Sequence, residues 1–427
     1  MTNIQLVYNW YAALVAAGCM VLMGYDASVF NSIQSSSNWK AHFGHPNPNM
    51  IGLINTTYTV AGIVTGWFLS GPLADYLGRR WGMATGCILV AVATFIQTFS
   101  PRHKIGVFIF GRVLIGAGQA IATTAGPIYI GEITESHVRG KVMSFWQLSF
   151  SVGSFLAYWI NYGAQDLTGE WDWKIVVIFQ LLMPVIVTVQ LPFIPESPRW
   201  LVGRNNVDDA RQALSRIRSS PEKVEEELLA IRQAIESEKE VQSKGWRAYS
   251  ALFKDASIRK RLYIAFFLNV GQQLSGQGTL NSYSSTIYAK VFKRVKTINL
   301  INALNATLGF FFTLNAVWTV DRYGRLFLFL VGACGMALCT MIIPIVGLTT
   351  PGTEDKSRPV GIAITFLVFL FGFFYKPTWG ATTWIYTTEI FPLQIRGPAV
   401  GMSVQMHNVA NAIFQQFFPT FYQNEGL

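Results

Sequence analysis

Two charged motifs occur twice in this chain, in the same order and at nearly the same separation. The copies are the pattern DxxGR at 75–79 and 321–325, and the pattern YxxEI with a following RG at 129–140 and 386–397. They are 246 and 257 residues apart, and each lies between apolar runs. Such repetition is typical of membrane proteins built from two homologous helix bundles. The repeat therefore predicts two similar helical halves.

Apolar runs long enough to cross a lipid bilayer recur along the whole chain. Apolar residues make up 51% of the sequence and charged residues only 13%, a composition typical of integral membrane proteins. A helix needs about 20 mostly apolar residues to cross the hydrocarbon core. Eleven candidate spans meet this need, near 7–30, 50–70, 81–100, 106–131, 141–162, 173–194, 260–289, 298–320, 325–348, 359–388 and 397–422. The predicted fold class is an all-α integral membrane protein.

A long polar stretch separates the sixth candidate span from the seventh. Residues 199–261 hold 14 of the 33 Lys and Arg residues, with an apolar spacing that favours amphipathic helices on the membrane surface. The net charge of +10 is therefore no sign of nucleic-acid binding. The positive-inside rule places this stretch, the N-terminus and the motif copies on the cytoplasmic side. The predicted domains are an N-terminal six-helix bundle at 1–195, a helical linker at 196–259 and a C-terminal bundle of five helices at 260–427.

The motifs together resemble those of a known family. They are GPLADYLGRR at 71–80, Gly111-Arg112 with Gly116 and Gly118, the loop 132–140, Trp173 with Gln180, PESPRWL at 195–201, QQxxG at 272–276 and the loop 389–397. Over about residues 18–418 the chain resembles the sugar porter branch of the major facilitator superfamily, in its fungal style. The resemblance implies two six-helix bundles that carry a sugar across the membrane by alternating access. A twelfth helix, which symmetry would require, is not found before Leu427.

The repeated motifs place acids and arginines together at the predicted cytoplasmic helix ends. A carboxylate there can pair with arginines in one conformation and release them in another, and the resemblance implies that such networks close the cytoplasmic side in the outward-facing state. The alternative is that these charges serve only as topological anchors. The candidate gating residues are Asp75, Arg79, Arg80, Glu132, Arg139, Asp321, Arg325, Glu389 and Arg396.

Two ionisable residues of the first half fall inside the membrane. Asp26 and Arg112 lie at similar depth in the first and fourth candidate spans, within reach of one another if the helices face. A carboxylate beside an arginine can take a proton when the pair separates. In the resemblance, Asp26 matches the acid that serves as the proton site of sugar–proton symporters. The alternative is a purely structural ion pair, which passive members also keep.

Planar amides and aromatic rings are the side chains best suited to bind a sugar. In the resemblance, Gln147 matches a sugar-binding glutamine of the fifth helix, Gln272 and Gln273 match the paired glutamines of the seventh, and Trp384 matches the tryptophan of the tenth. Apart from the family, a glutamine in a membrane helix is more often a bond between helices. The candidate substrate residues are Gln147, Gln272, Gln273, Asn281, Tyr283, Trp384 and His407.

The chain departs from the family pattern at several of these places. Gly278 and Gly309 stand where asparagines are common, His407-Asn408 replaces an asparagine–tryptophan pair, and Lys174 replaces an arginine. Lys376 adds a cation inside the tenth span, where it could meet an anionic sugar acid. The alternative is a lysine that snorkels into the outer vestibule. These departures predict a substrate that differs from plain glucose.

Three hypotheses therefore remain: a sugar–proton symporter, a passive sugar carrier, and a truncated non-transporting or sensor-like membrane protein. The expected partners are a sugar substrate, protons and the lipid bilayer, and the expected location is the plasma membrane. The sequence indicates no enzyme, no cofactor and no metal site, because no nucleophile–base set, metal cluster or phosphate-binding glycine loop is found in a plausible place.

Overall fold

The computed structural model describes residues 3–135, 139–242, 253, 255–289, 292–348, 358–391 and 396–424. Each predicted span corresponds to one long helical segment. The first six are Asn3–Ile33, Pro48–Thr65 continued by Gly66–Ser70 and Gly71–Leu77, Arg79–Thr98, Ile105–Ile133, Arg139–Ala164, and the run 171–193. The next five are Ala256–Leu274 continued after a break by Gln277–Ala289, Val295–Tyr323, Arg325–Leu348, the run 358–389, and Arg396–Asn424. We number these eleven spans in chain order.

Within the described residues, seven of the spans are long and apolar enough to cross a membrane by length and composition alone. The other four are the second, fifth, seventh and eleventh. Each of them packs against the opposite half: the second against the eleventh, the fifth against the eighth, and the seventh against the first. Their polar residues can therefore bond with protein groups instead of meeting lipid.

Two spans that line the interior are locally irregular. The seventh span breaks at Gly276, whose φ of +86° lies in the left-handed region that favours glycine. The tenth span contains a π-helical turn at Lys376–Gly380, with Pro377 in its first positions. Irregular backbone at membrane depth is tolerated where it is buried in protein or lines a cavity. Both irregularities adjoin the predicted substrate residues.

Three shorter helices follow the sixth span, at Pro198–Gly203, Val207–Ile217 and Pro221–Gln242. Leu214 and Ile217 are fully buried in the core of the first half. Asn9 donates a hydrogen bond to the Ile217 carbonyl at 3.0 Å, and Arg218 pairs with Glu227. Apolar residues of these helices thus pack on protein, whereas the sequence pattern had predicted amphipathic helices on the membrane surface. We call this end of the molecule the linker side.

Candidate functional site

The repeated charged motifs form the same ion pair in both halves, on the linker side. Arg79 Nε lies 3.1 Å from Glu132 Oε2, and Arg325 Nη2 lies 2.8 Å from Glu389 Oε1. Arg79 also pairs with Asp75 at 3.0 Å. Each half therefore joins its DxxGR loop to its own YxxEI helix. The side chains of Arg139, Asp321 and Arg396 lie outside the described residues.

The PESPRWL motif holds the start of the third span. The Glu196 carboxylate accepts hydrogen bonds from the backbone N–H groups of Arg79 and Arg80, at 3.0 and 3.2 Å. Gly78 has a φ of +95°, and a Cβ built there would lie 2.6 Å from Glu196 Oε2. Burial nevertheless raises the pKa of Glu196 above its ordinary value. Only glycine fits this turn, which explains why the DxxGR motif has a glycine at position 78.

Asp26 and Arg112 share one buried cluster without forming an ion pair. The Asp26 carboxylate accepts hydrogen bonds from the amides of Gln180, at 2.7 Å, and Gln119. The Arg112 guanidinium lies 4.4 Å from the centroid of the Tyr58 ring, and Tyr58 donates a hydrogen bond to Gln119. The two charges are therefore linked through Tyr58 and Gln119. The sequence did not single out Gln119 as a partner of Asp26, although it lies two helical turns from Arg112 on the same span.

The two halves are hydrogen-bonded together at the ends opposite the linker side. Asn31 is the centre of this contact: its amide nitrogen donates to Ser284 Oγ at 2.7 Å, and its oxygen accepts from the Ser285 N–H at 3.2 Å. Tyr283 belongs to the same contact, because its hydroxyl accepts a hydrogen bond from Asn55 at 3.0 Å. Tyr283 is fully buried and joins the two halves, so in this conformation it does not face a cavity.

The paired glutamines of the seventh span are bonded to neighbouring spans. Gln272 donates to the Trp379 carbonyl at 2.9 Å, and the Gln273 amide lies 2.8 Å from His407 Nε2. The rings of His407 and Trp384 are 5.4 Å apart. Gln147 is half-buried in the fifth span. The structure thus brings Gln273, His407 and Trp384 into one polar cluster.

A separate cavity of about 40 Å³ lies between the halves. The fifth span contributes Ser151, Ser154 and Tyr158, and the other lining residues come from the seventh, eighth and tenth spans. The amides that line it belong to Gln277, Asn281 and Asn305. Within the described residues, these three side-chain amides make no hydrogen bond with the protein, so they are available to a ligand.

Lys376 is the cation of this cavity. It opens the π-helical turn of the tenth span, and no described carboxylate lies within ion-pair distance of its ammonium group. A Cβ built at Gly309 would lie 3.5 Å from Lys376 Cε and 3.9 Å from Nζ. Gly309 of the eighth span thus lies beside the end of the Lys376 side chain, so two of the departures from the family pattern are neighbours in the structure.

Of the predicted substrate residues, only Asn281 lines the cavity together with Lys376. Gln277 and Asn305 escaped the sequence analysis. Asn305 lies one helical turn from Gly309, so its amide is on the same helix face as the expected asparagine. That spacing is a signal from which Asn305 could have been found.

Comparisons with known proteins agree with this architecture. The family model described as "Sugar (and other) transporter" matches residues 12–427. A "Probable quinate permease" of Aspergillus fumigatus is 28% identical over 97% of this chain and 80% of its own length. One from Aspergillus niger is 27% identical over 97% of this chain and 81% of its own length.

Solved structures of the Escherichia coli xylose transporter XylE share the fold. A partially occluded inward-open form has a TM-score of 0.78 at 21% identity, covering 97% of this chain and 93% of that chain. A form described as a proton:xylose symporter bound to 6-bromo-6-deoxy-D-glucose has a TM-score of 0.79 at 22% identity, covering 99% of this chain and 90% of that chain. The all-helical prediction is confirmed, and the chain belongs to the sugar porter family of the major facilitator superfamily.

Proposed function

We propose that this protein carries a small polyhydroxylated molecule across the membrane by alternating access, with the central cavity as its substrate site. The observation that supports this most is the set of three unbonded amides, Gln277, Asn281 and Asn305, in a cavity shared by the two halves. Amides both donate to and accept from hydroxyl groups. The candidate substrates are sugars, as the family implies, and quinate, after which the fungal relatives are named.

The polar contacts define two gates in this proposal. The gate opposite the linker side is closed here by Asn31, Ser284 and their neighbours. In the alternate state these bonds break and the linker side closes. The Arg79–Glu132 and Arg325–Glu389 pairs then keep each half rigid as the halves rock.

Asp26 is the proton site in this proposal. Its carboxylate is fully buried and is held by two neutral amides, while the nearby Arg112 guanidinium lies over Tyr58. A small movement of the fourth span would change the distance between the two charges and so the proton affinity of Asp26. We expect Asp26→Asn to abolish accumulation against a gradient and to preserve exchange. Asp208→Asn, which alters an exposed linker carboxylate, is the matched control.

The test is uptake by transporter-deficient yeast that expresses this chain, with the external pH recorded. The labelled panel contains D-glucose, D-xylose, myo-inositol, D-glucuronate and quinate. Uptake with external alkalinisation supports the symporter. Uptake that is indifferent to pH and tolerates Asp26→Asn favours a passive carrier. Substrate binding without flux, with the protein at the plasma membrane, favours the non-transporting alternative and overturns the proposal.

A further inference from the structure

We infer that Lys376 binds the carboxylate of an anionic, polyhydroxylated substrate in the central cavity. This inference rests on the proposed function, because it takes the cavity as the substrate site. The inference goes further in two respects: the preferred substrate is an acid, and the ammonium group of Lys376 binds its carboxylate.

The position of Lys376 excludes a simple surface role. It lies 18 residues from the start of the tenth helical run at Arg358 and 13 residues from its end at Glu389. At about 1.5 Å per residue, these separations are roughly 27 and 20 Å along the helix. A lysine side chain, with its four-carbon stem, is much shorter than either distance. The ammonium group of Lys376 therefore cannot reach the membrane surface along the tenth span.

A charged lysine at this depth needs either an anionic partner or water. A charge near the bilayer centre costs at least about 2.5 kcal/mol on insertion scales unless it is paired or hydrated. No described carboxylate pairs with Lys376. The buried acid of the first half, Asp26, is already bonded to Gln119 and Gln180. Within the described residues the protein thus supplies no counter-ion for Lys376, and the cavity that it lines is where water or an anionic ligand can meet it.

The surroundings of the ammonium group favour a ligand that also carries hydroxyls. The amides of Gln277, Asn281 and Asn305 line the same cavity, and Gly309 lines it beside the end of the Lys376 side chain. A simple carboxylate would leave the amides unused. A neutral sugar would leave the ammonium group unpaired. A hydroxylated ring acid satisfies both kinds of group.

The decisive experiment compares acids with their neutral amides. Uptake of labelled D-glucuronate and quinate is measured in cells that express the full chain, with the corresponding carboxamides as competitors. We expect the wild-type protein to take up at least one acid and its carboxamide to compete about tenfold more weakly, because a hydrogen bond to a charged group is stronger than one between neutral groups.

Lys376→Met should raise the half-saturating concentration for that acid about tenfold or more, with less than about a twofold change in competition by the amide. Lys376→Arg should keep the preference for the acid. Lys40→Met removes an exposed lysine of the short helix Ser37–His42 and controls for general attraction of anions. Gly309→Asn is an independent variant, since its side chain would enter the space of the lysine and should weaken acid uptake selectively.

The possible outcomes distinguish failure of this inference from failure of the proposed function. Uptake of neutral sugars with no uptake of acids overturns the inference and leaves the proposed function intact. Equal loss of acid and neutral uptake in Lys376→Met, with normal amounts of protein at the membrane, makes the lysine a structural residue and also overturns it. Failure to transport any compound of the panel overturns the proposed function itself.

Discussion

Asn31→Ala should open the gate opposite the linker side. Asn31 is 1% exposed and makes two bonds across the halves, to Ser284 Oγ at 2.7 Å and from the Ser285 N–H at 3.2 Å. Removing the Asn31 side chain deletes both of these hydrogen bonds from the closed state, whereas neither bond is made in the open state. At about 1 kcal/mol for each lost bond, the closed state loses about 2 kcal/mol relative to the open one. That free energy is an approximately 30-fold shift in population.

The distance between spin labels on the two halves measures this shift. Lys40 and Arg294 are exposed, lie at the ends opposite the linker side and belong to different halves, so cysteines placed there report opening of the gate. The native cysteines are replaced first; Cys334 is the exposed one. Asn38→Ala is the matched control, because Asn38 donates to the Gly169 carbonyl within its own half.

We expect Asn31→Ala to add a longer distance and Asn38→Ala to leave the distribution unchanged. A distribution in Asn31→Ala that matches the wild type would refute the reasoning, since it would show that these bonds do not hold the halves together.

Three further predictions concern other parts of the molecule. Gly78→Ala should lower the thermal stability in detergent by about 1–3 kcal/mol, because a Cβ at φ +95° is strained and would contact Glu196; an unchanged melting temperature would contradict this. Gln273→Ala should raise the half-saturating substrate concentration about tenfold or more, and unchanged uptake kinetics would leave Gln273 as a packing partner of His407. Lys174, His42 and Arg102 lower the pKa of Glu170 to about 2. The ionised Glu170 carboxylate therefore stabilises the folded protein fully above the usual carboxyl pKa, and this stabilisation is lost as the pH falls towards 2. The difference in melting temperature between wild type and Glu170→Gln should thus shrink as the pH is lowered from 6 to 3.

The sequence predicted the helical architecture well because its signals are local. The thickness of the bilayer sets the length of every span, and backbone groups in lipid must bond within their own helix. Eleven apolar runs therefore predicted eleven helical segments. The repeated motifs also predicted the pairing of acids with arginines, and the Arg79–Glu132 and Arg325–Glu389 pairs show one arrangement used twice.

The sequence was less informative about individual polar residues within the membrane. Depth along the helix placed Asp26 near Arg112, yet the partners of Asp26 are Gln119 and Gln180, which lie 93 and 154 residues away. Similarly, Tyr283 was predicted to bind substrate, and it is bonded to Asn55 across the two halves. The substrate roles of Gln147, Gln272, Gln273, Trp384 and His407 remain predictions.

The sequence by itself determined the membrane class, the spans and the twofold repeat, because each depends on residues close together in the chain or on a motif that recurs. Only the tertiary structure decided which polar groups are bonded to protein and which are left for a ligand. Lys376 and Gly309 show the reason. They are 67 residues apart and lie on different spans, so they become neighbours only after the helices pack.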